Sequence, residues 1–261
     1  MEVRGHNLVW VTDQSNLLPA FVRDETDAAT LEKYMLDYIH TVVTHVGEKA
    51  FAWDVINEAV SDDPNQLIKD SPWSKIDDYL CKAFKAARSA NPKPLLFYND
   101  YNIDSAVGWS KTKSDKVYSL VKDLKSRGCP VDGVGLQAHL TIDYSEEMVE
   151  GVRENIQRYE ALGMDVHITE LDIKCSSSKT CSDSDWTEEM RETQASLYAQ
   201  LLKICLEEKA CTSFETWGYT DKYSWLATGQ DGLPYDKEYK PKPAYDKIYE
   251  TLIGEGEEAI E

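Results

Sequence analysis

Six short runs rich in β-branched and aromatic residues recur along the chain, and stretches with apolar residues at helical spacing separate them. The runs lie at 7–10, 51–56, 95–98, 134–137, 166–169 and 212–217, and the helical stretches at about 28–46, 74–90, 114–127, 145–162, 187–208 and 243–253. In the first stretch Leu31, Tyr34, Met35, Tyr38, Ile39, Val42, Val43 and Val46 keep the helical period, and Gly47 stops it. Ser74 with Asp77 is a capping signal, and Asn91-Pro92 ends the second stretch. Strands alternating with helices in this way mean βαβ units on a parallel sheet, an α/β protein. No composition break interrupts them, so one domain is expected over 1–253, followed by an acidic, flexible tail at 254–261.

Charge narrows the partners. The chain carries 28 Lys and Arg against 47 Asp and Glu, a net charge of −19, which disfavours nucleic acid and anionic membrane surfaces. No apolar run of about 20 residues is present to span a bilayer. Residues 1–6 lack a basic segment followed by an apolar one, so no signal peptide is expected in this chain. No G-x-G-x-x-G or P-loop motif lies at a strand–helix turn, and no H-E-x-x-H occurs. His40 and His45 are five apart, off a common helical face, so neither a metal nor an organic cofactor is expected. Of the six cysteines none forms a C-x-x-C pair; Cys175 and Cys181, and Cys205 and Cys211, are spaced for local disulfides or for buried thiols.

In parallel α/β folds the chemistry sits at the carboxyl ends of the strands. The second run closes on Asn57-Glu58, the third on Asn99-Asp100-Tyr101-Asn102, the fourth on Gln137-Ala138-His139, the fifth on Glu170-Leu171-Asp172 and the sixth on Trp217. Carboxylates are mostly solvated, and either glutamate alone reads equally well as a loop residue. Two of them on the same rim, flanked by amides, a histidine and tryptophans, suit glycosidic chemistry, in which one carboxyl protonates the leaving oxygen and the other attacks the anomeric carbon or activates water. Trp217, Tyr219, Tyr223 and Trp225 add flat faces for sugar rings, and the polar spacers between them read as a loop rather than a core segment.

The segments Arg4-Gly5-His6-Asn7-Leu8-Val9-Trp10, Trp53-Asp54-Val55-Ile56-Asn57-Glu58-Ala59, Asn99-Asp100-Tyr101-Asn102, Gly135-Leu136-Gln137-Ala138-His139, Ile168-Thr169-Glu170-Leu171-Asp172, Trp217-Gly218-Tyr219-Thr220-Asp221-Lys222-Tyr223-Ser224-Trp225 and Pro241-Lys242-Pro243-Ala244-Tyr245 resemble the signature segments of glycoside hydrolase family ten, in the family's order and over nearly the whole chain. These are retaining endo-β-1,4-xylanases on a (β/α)8 TIM barrel. The resemblance implies Glu58 as general acid/base and Glu170 as nucleophile, with Glu170 kept ionised by His139 and Asp172 behind it. It places Asn57 on a sugar 2-hydroxyl, His6, Trp10, Gln137, Trp217 and Trp225 around the same sugar, and Tyr101 as a platform on the leaving-group side. It also implies a Cys205–Cys211 disulfide, xylan and xylo-oligosaccharides as partners, and secretion.

The pattern departs from the family in three places. Val11-Thr12-Asp13-Gln14 stands where His-Ser-Gln is usual, and Glu215 is an extra carboxylate in the sixth run. The chain opens at the family's third strand, so only the third to eighth βα units of the barrel are expected. Six strands would leave two open edges, inviting self-association. The readings of that gap are a fragment of a longer product, a smaller sheet, or recruitment of a second copy; a fragment fits best. A binding remnant with little turnover, or a β-1,4-glucanase on the same scaffold, are the alternatives to a xylanase.

Overall fold

The computed structural model describes residues 3–12, 17–176, 178 and 180–258. The chain divides into two compact units, Met1–Asp100 with Thr112–Gly135 and Leu162–Met164, and Tyr101–Lys111 with Leu136–Ala161 and Asp165–Glu261.

The first unit is built on β3 (Ala50–Asn57), against which β1 (Val3–Gly5), β2 (Val9–Trp10) and β4 (Leu95–Asp100) all pair in parallel. Residues 52–57 are buried without alternation, as expected of a strand covered on both faces. A short α1 (Ala20–Arg23) precedes α2 (Ala28–Val46), which opens where the Asp27 carboxylate accepts the Thr30 N–H at 2.8 Å. The helix buries Leu31, Met35, Ile39 and Val43, one residue per turn, and closes at Gly47, whose φ of 61° lies in the left-handed region. Next come α3 (Tyr79–Ala90) and α4 (Lys111–Ser126). A Cys81–Cys129 disulfide joins α3 to the segment after α4. Gly5 is required by close approach: a Cβ there would lie 2.2 Å from the Trp53 ring.

The second unit is built on β7 (Asp165–Lys174), which pairs in parallel with β6 (His139–Thr141) and β8 (Cys211–Thr216). Residues 166–173 are all buried, whereas β8 is largely half-buried. Glu215 is half-buried there and accepts the Ser213 hydroxyl at 2.8 Å, so its charge is not sealed into a core. The helices are α5 (Glu146–Glu160), α6 (Glu188–Glu207) and α7 (Pro243–Glu258). Cys205–Cys211 ties the end of α6 to the start of β8, and Cys175–Cys181 closes a loop packed on Trp186, Ile142 and Met190.

The strand β5 (Gly133–Leu136) completes a set of eight among the described residues, where six were expected. β2 lies within the first run, β1 precedes it, and β6 follows the fourth run. The two unexpected strands, β1 and β6, are three residues long and owe their pairing to a partner distant in sequence, which no local period reveals. The expected helix at 74 begins instead as a 3-10 turn, Pro72–Lys75, in which Ser74 bonds back to Ser71; α3 starts five residues later than expected. The last helix continues past 253 to Glu258, and 259–261 of the expected tail lie outside the described residues. Asp13 and Gln14 also lie outside them, while Val11 and Thr12 are buried. Among the described residues no helix is long and apolar enough to cross a membrane.

Candidate active site

Glu58 directly follows a buried stretch of strand, Glu170 lies inside one, and each has its own set of partners. In the first unit Glu58 comes directly after β3, with its backbone in the left-handed region at φ 60°. That conformation costs a non-glycine residue about 1–2 kcal/mol, and the Glu58 N–H offsets part of it by bonding to the Asn99 carbonyl at 2.8 Å. Trp10 stands opposite Asn57 in the β2–β3 register, and Asn57 opposite Asn99 in the β3–β4 register. The side chains use this alignment. Trp10 Nε1 donates to Glu58 Oε2 at 2.9 Å, and Asn57 Nδ2 donates to Oε1 at 3.3 Å. Asn99 Nδ2 in turn donates to Asn57 Oδ1 at 2.9 Å, which sets the amide's orientation. Trp73 Nε1 holds the Trp10 carbonyl at 3.0 Å. The Lys69 ammonium lies 4.0 Å from Glu58 Oε2.

His6 belongs to the same unit and reaches Asp54, with Nδ1 3.0 Å from Oδ2. Arg4 also pairs with Asp54, both side chains being buried, and its guanidinium lies 4.5 Å over the Phe97 ring. Burial works against the Asp54 charge, but Arg4 and His6 outweigh it and hold its carboxyl below the usual range.

In the second unit Glu170 lies in β7, and its backbone N–H bonds to the Gln137 carbonyl at 3.1 Å. Ala138, at φ 58°, turns the chain between β5 and β6 so that His139 comes opposite Asp172 in the register. The His139 ring bridges two carboxylates: Nε2 is 3.2 Å from Glu170 Oε2 and Nδ1 is 3.0 Å from Asp172 Oδ2. Burial opposes a charge on this imidazole, but the hydrogen bonds from Asp172 and Glu170 outweigh it and push its pKa up to about 9. At neutral pH His139 is therefore an imidazolium that bridges the two carboxyl groups. Trp225 Nε1 donates to Asp172 Oδ2 at 2.8 Å, and its ring stands 4.9 Å from that of His139 at 61°. Trp217 is edge-on to His139 at 6.5 Å. Gln137 is buried, and Tyr101 is half-buried just past β4.

The first unit thus gathers His6, Trp10, Asn57 and Glu58, and the second gathers Gln137, His139, Glu170, Asp172, Trp217 and Trp225. Cys205 and Cys211 are bonded as the resemblance implied, and Cys175 with Cys181 as their spacing allowed. Lys69, Asp54 and Arg4 were not assigned roles from sequence. Arg4 and Asp54 lie inside signature segments and were within reach, whereas Lys69 is a loop lysine with no local signal. The Cys81–Cys129 bond spans 48 residues and escapes any spacing rule.

The first unit holds a carboxyl group with two N–H donors, and the second a carboxyl group beside a half-buried imidazolium and two tryptophans. The family model of glycosyl hydrolase family 10 matches residues 1–251. The chain is 35% identical to endo-1,4-β-xylanase B of Thermotoga neapolitana, over 97% of this chain and 70% of that protein. It is 36% identical to a β-1,4-xylanase of Dictyoglomus thermophilum, over 95% and 70%. Against endo-1,4-β-xylanase B of Neocallimastix patriciarum it is 34% identical but spans only 27% of that protein. Native xylanase 10B of Thermotoga maritima, a solved structure, superposes with a TM-score of 0.86 at 37% identity, covering 99% of this chain and 76% of that one. The chain belongs to glycosyl hydrolase family 10, and its fold is TIM-barrel-like.

Proposed function

We propose that this chain is an endo-β-1,4-xylanase that hydrolyses internal bonds of xylan with retention of anomeric configuration, residues 1–253 acting as its catalytic domain. The observation that carries the reading is the His139 bridge at Glu170. The His139 ring reaches Glu170 Oε2 at 3.2 Å and Asp172 Oδ2 at 3.0 Å, so the carboxyl group that must attack is held in one orientation. Glu170 attacks the anomeric carbon as the aglycone leaves, and Glu58 supplies the proton to the leaving oxygen. Glu58 then takes a proton from the water that hydrolyses the glycosyl-enzyme intermediate. Trp10 and Asn57 hold the Glu58 carboxyl in place, and Asn57 serves the sugar 2-hydroxyl. His6, Gln137, Trp217 and Trp225 line the sugar site, and Tyr101 serves the leaving-group side. The substrates are xylan and xylo-oligosaccharides; a solved relative, xylanase 10B of Thermotoga petrophila, was crystallised in complex with xylobiose.

The experiment is hydrolysis of soluble xylan and of an aryl β-xylobioside. Glu170→Ala should abolish both activities, and Glu58→Ala should spare the aryl substrate, whose leaving group needs no proton. Full activity of both variants on xylan would refute the assignment. Three disulfides support secretion, since such bonds persist in oxidising compartments. The half-buried β8 is the strand we expect self-association to use, and light scattering at rising concentration measures it.

A further inference from the structure

Trp225 is 62% exposed, yet its indole N–H is committed to one oxygen, Asp172 Oδ2, the same atom that takes His139 Nδ1. Burial does not hold an indole so exposed. Its position must come from the backbone of its own loop, and that backbone converges on one buried cation. Lys242 is 5% exposed; its ammonium donates to Asp221 Oδ2 at 2.9 Å and to the Asp231 carbonyl at 2.6 Å. Asp221 opens the 3-10 turn that leads into Trp225, and its other oxygen accepts the Leu233 N–H at 2.8 Å. Its backbone N–H bonds to the Tyr235 carbonyl at 2.9 Å.

The Asp231–Gly232 corner is fixed from the opposite side. Gln194 Nε2 donates to the Asp231 carbonyl at 2.8 Å, Tyr198 Oη to the Gly232 carbonyl at 2.7 Å, and the Ile173 N–H to the same carbonyl at 3.0 Å. Gly232 has no room for a side chain, because a Cβ would lie 2.6 Å from Leu226 Cδ1. Lys242 therefore connects the turn bearing Trp225 to a corner anchored on α6 and β7. Burial pushes Lys242 down and Asp221 up, each toward its neutral form, and buried ion pairs seldom outperform apolar replacements.

We propose that the Lys242–Asp221 pair is a positioning latch: it sets the turn 221–225 so that the Trp225 indole stays on Asp172 and thereby fixes the His139–Asp172–Glu170 arrangement. Lys242 is then a positioning residue for the xylanase reaction, and its kinetic consequence rests on the reading above. The test has one arm that needs no substrate. In 15N-labelled protein the Trp225 indole signal is identified by its loss in Trp225→Phe, among the seven tryptophans of the chain. In Lys242→Met that signal should move upfield and exchange with solvent roughly tenfold faster or more, as expected when one hydrogen bond to a charged acceptor is lost. Of the others only Trp186, whose ring centroid lies 5.9 Å from the Lys242 ammonium, should also shift, and the remaining indoles should stay where they are.

In the kinetic arm, Lys242→Met should lower kcat/KM on an aryl β-xylobioside as far as Trp225→Phe does, and the double variant should lose nothing more. An unchanged Trp225 signal in a folded Lys242→Met protein, or additive losses in the double variant, would overturn the latch. A wild-type protein inactive on the xylobioside would instead defeat the xylanase reading and leave the spectroscopic arm to decide. If Lys242→Met does not fold, Asp221→Asn with Lys242→Gln removes both charges and strands neither. The same spectral change is expected there, and failure of that pair to fold would assign the residues to folding rather than to positioning.

Discussion

Replacing His139 by glutamine removes the cation from between Glu170 and Asp172 while keeping a side chain of similar reach. In the folded protein the imidazole pKa stands at about 9, against an ordinary value of 6.5. That difference is worth about 3 kcal/mol at 1.4 kcal/mol per unit. Because the folded value is the higher one, the contribution is complete below about pH 6.5, declines from there, and is gone above about 9. Urea unfolding followed by tryptophan fluorescence at pH 5.5, 7, 8.5 and 10 measures it as the difference between wild type and His139→Gln. The difference should shrink by about 3 kcal/mol from the lowest pH to the highest. Groups common to both proteins cancel in the subtraction. A difference that stays constant with pH would refute the claim that His139 carries a proton there.

Trp10→Phe removes the 2.9 Å donor from Glu58 Oε2 and should cost about 1.5–3 kcal/mol at that carboxylate, seen as roughly a tenfold to hundredfold loss on xylan and a smaller loss on activated aryl xylosides. Gly5→Ala sets a methyl 2.2 Å from the Trp53 ring and should cost about 1–3 kcal/mol in chemical denaturation. Removing the Cys81–Cys129 bond, which closes a 48-residue loop, should cost about 4 kcal/mol, against about 2 kcal/mol for Cys205–Cys211 with its separation of 6; paired Cys→Ser variants compared by urea midpoint test the ranking.

Part of this architecture was readable without coordinates. The period of Leu31, Met35, Ile39 and Val43 with Gly47 behind it places α2 at its observed limits, because an amphipathic helix and its caps are written in neighbouring residues. The long strands β3 and β7 were legible as apolar runs, and the polar residues that close or follow such runs pointed to Glu58, His139 and Glu170 as candidates, because chemistry in parallel α/β folds sits at the carboxyl ends of strands. The two short additions, β1 and β6, were not legible as strands: each is three residues long and exists through hydrogen bonds to a partner more than thirty residues away. The late start of α3 was missed because Ser74 and Asp77 satisfy a capping pattern that the chain spends on a 3-10 turn instead.

The candidate residues, down to which carboxylates and which histidine, were named from the sequence alone. What surrounds them was decided only in three dimensions. The sequence does not say that Trp10 donates to Glu58, that His139 bridges Glu170 and Asp172, or that Lys242 reaches Asp221 and Asp231 together. Helical and strand periods are local and survive in the order of residues. The directions of side-chain donors depend on strand register and on left-handed turns such as those at Glu58 and Ala138, and these are settled only when distant segments pack.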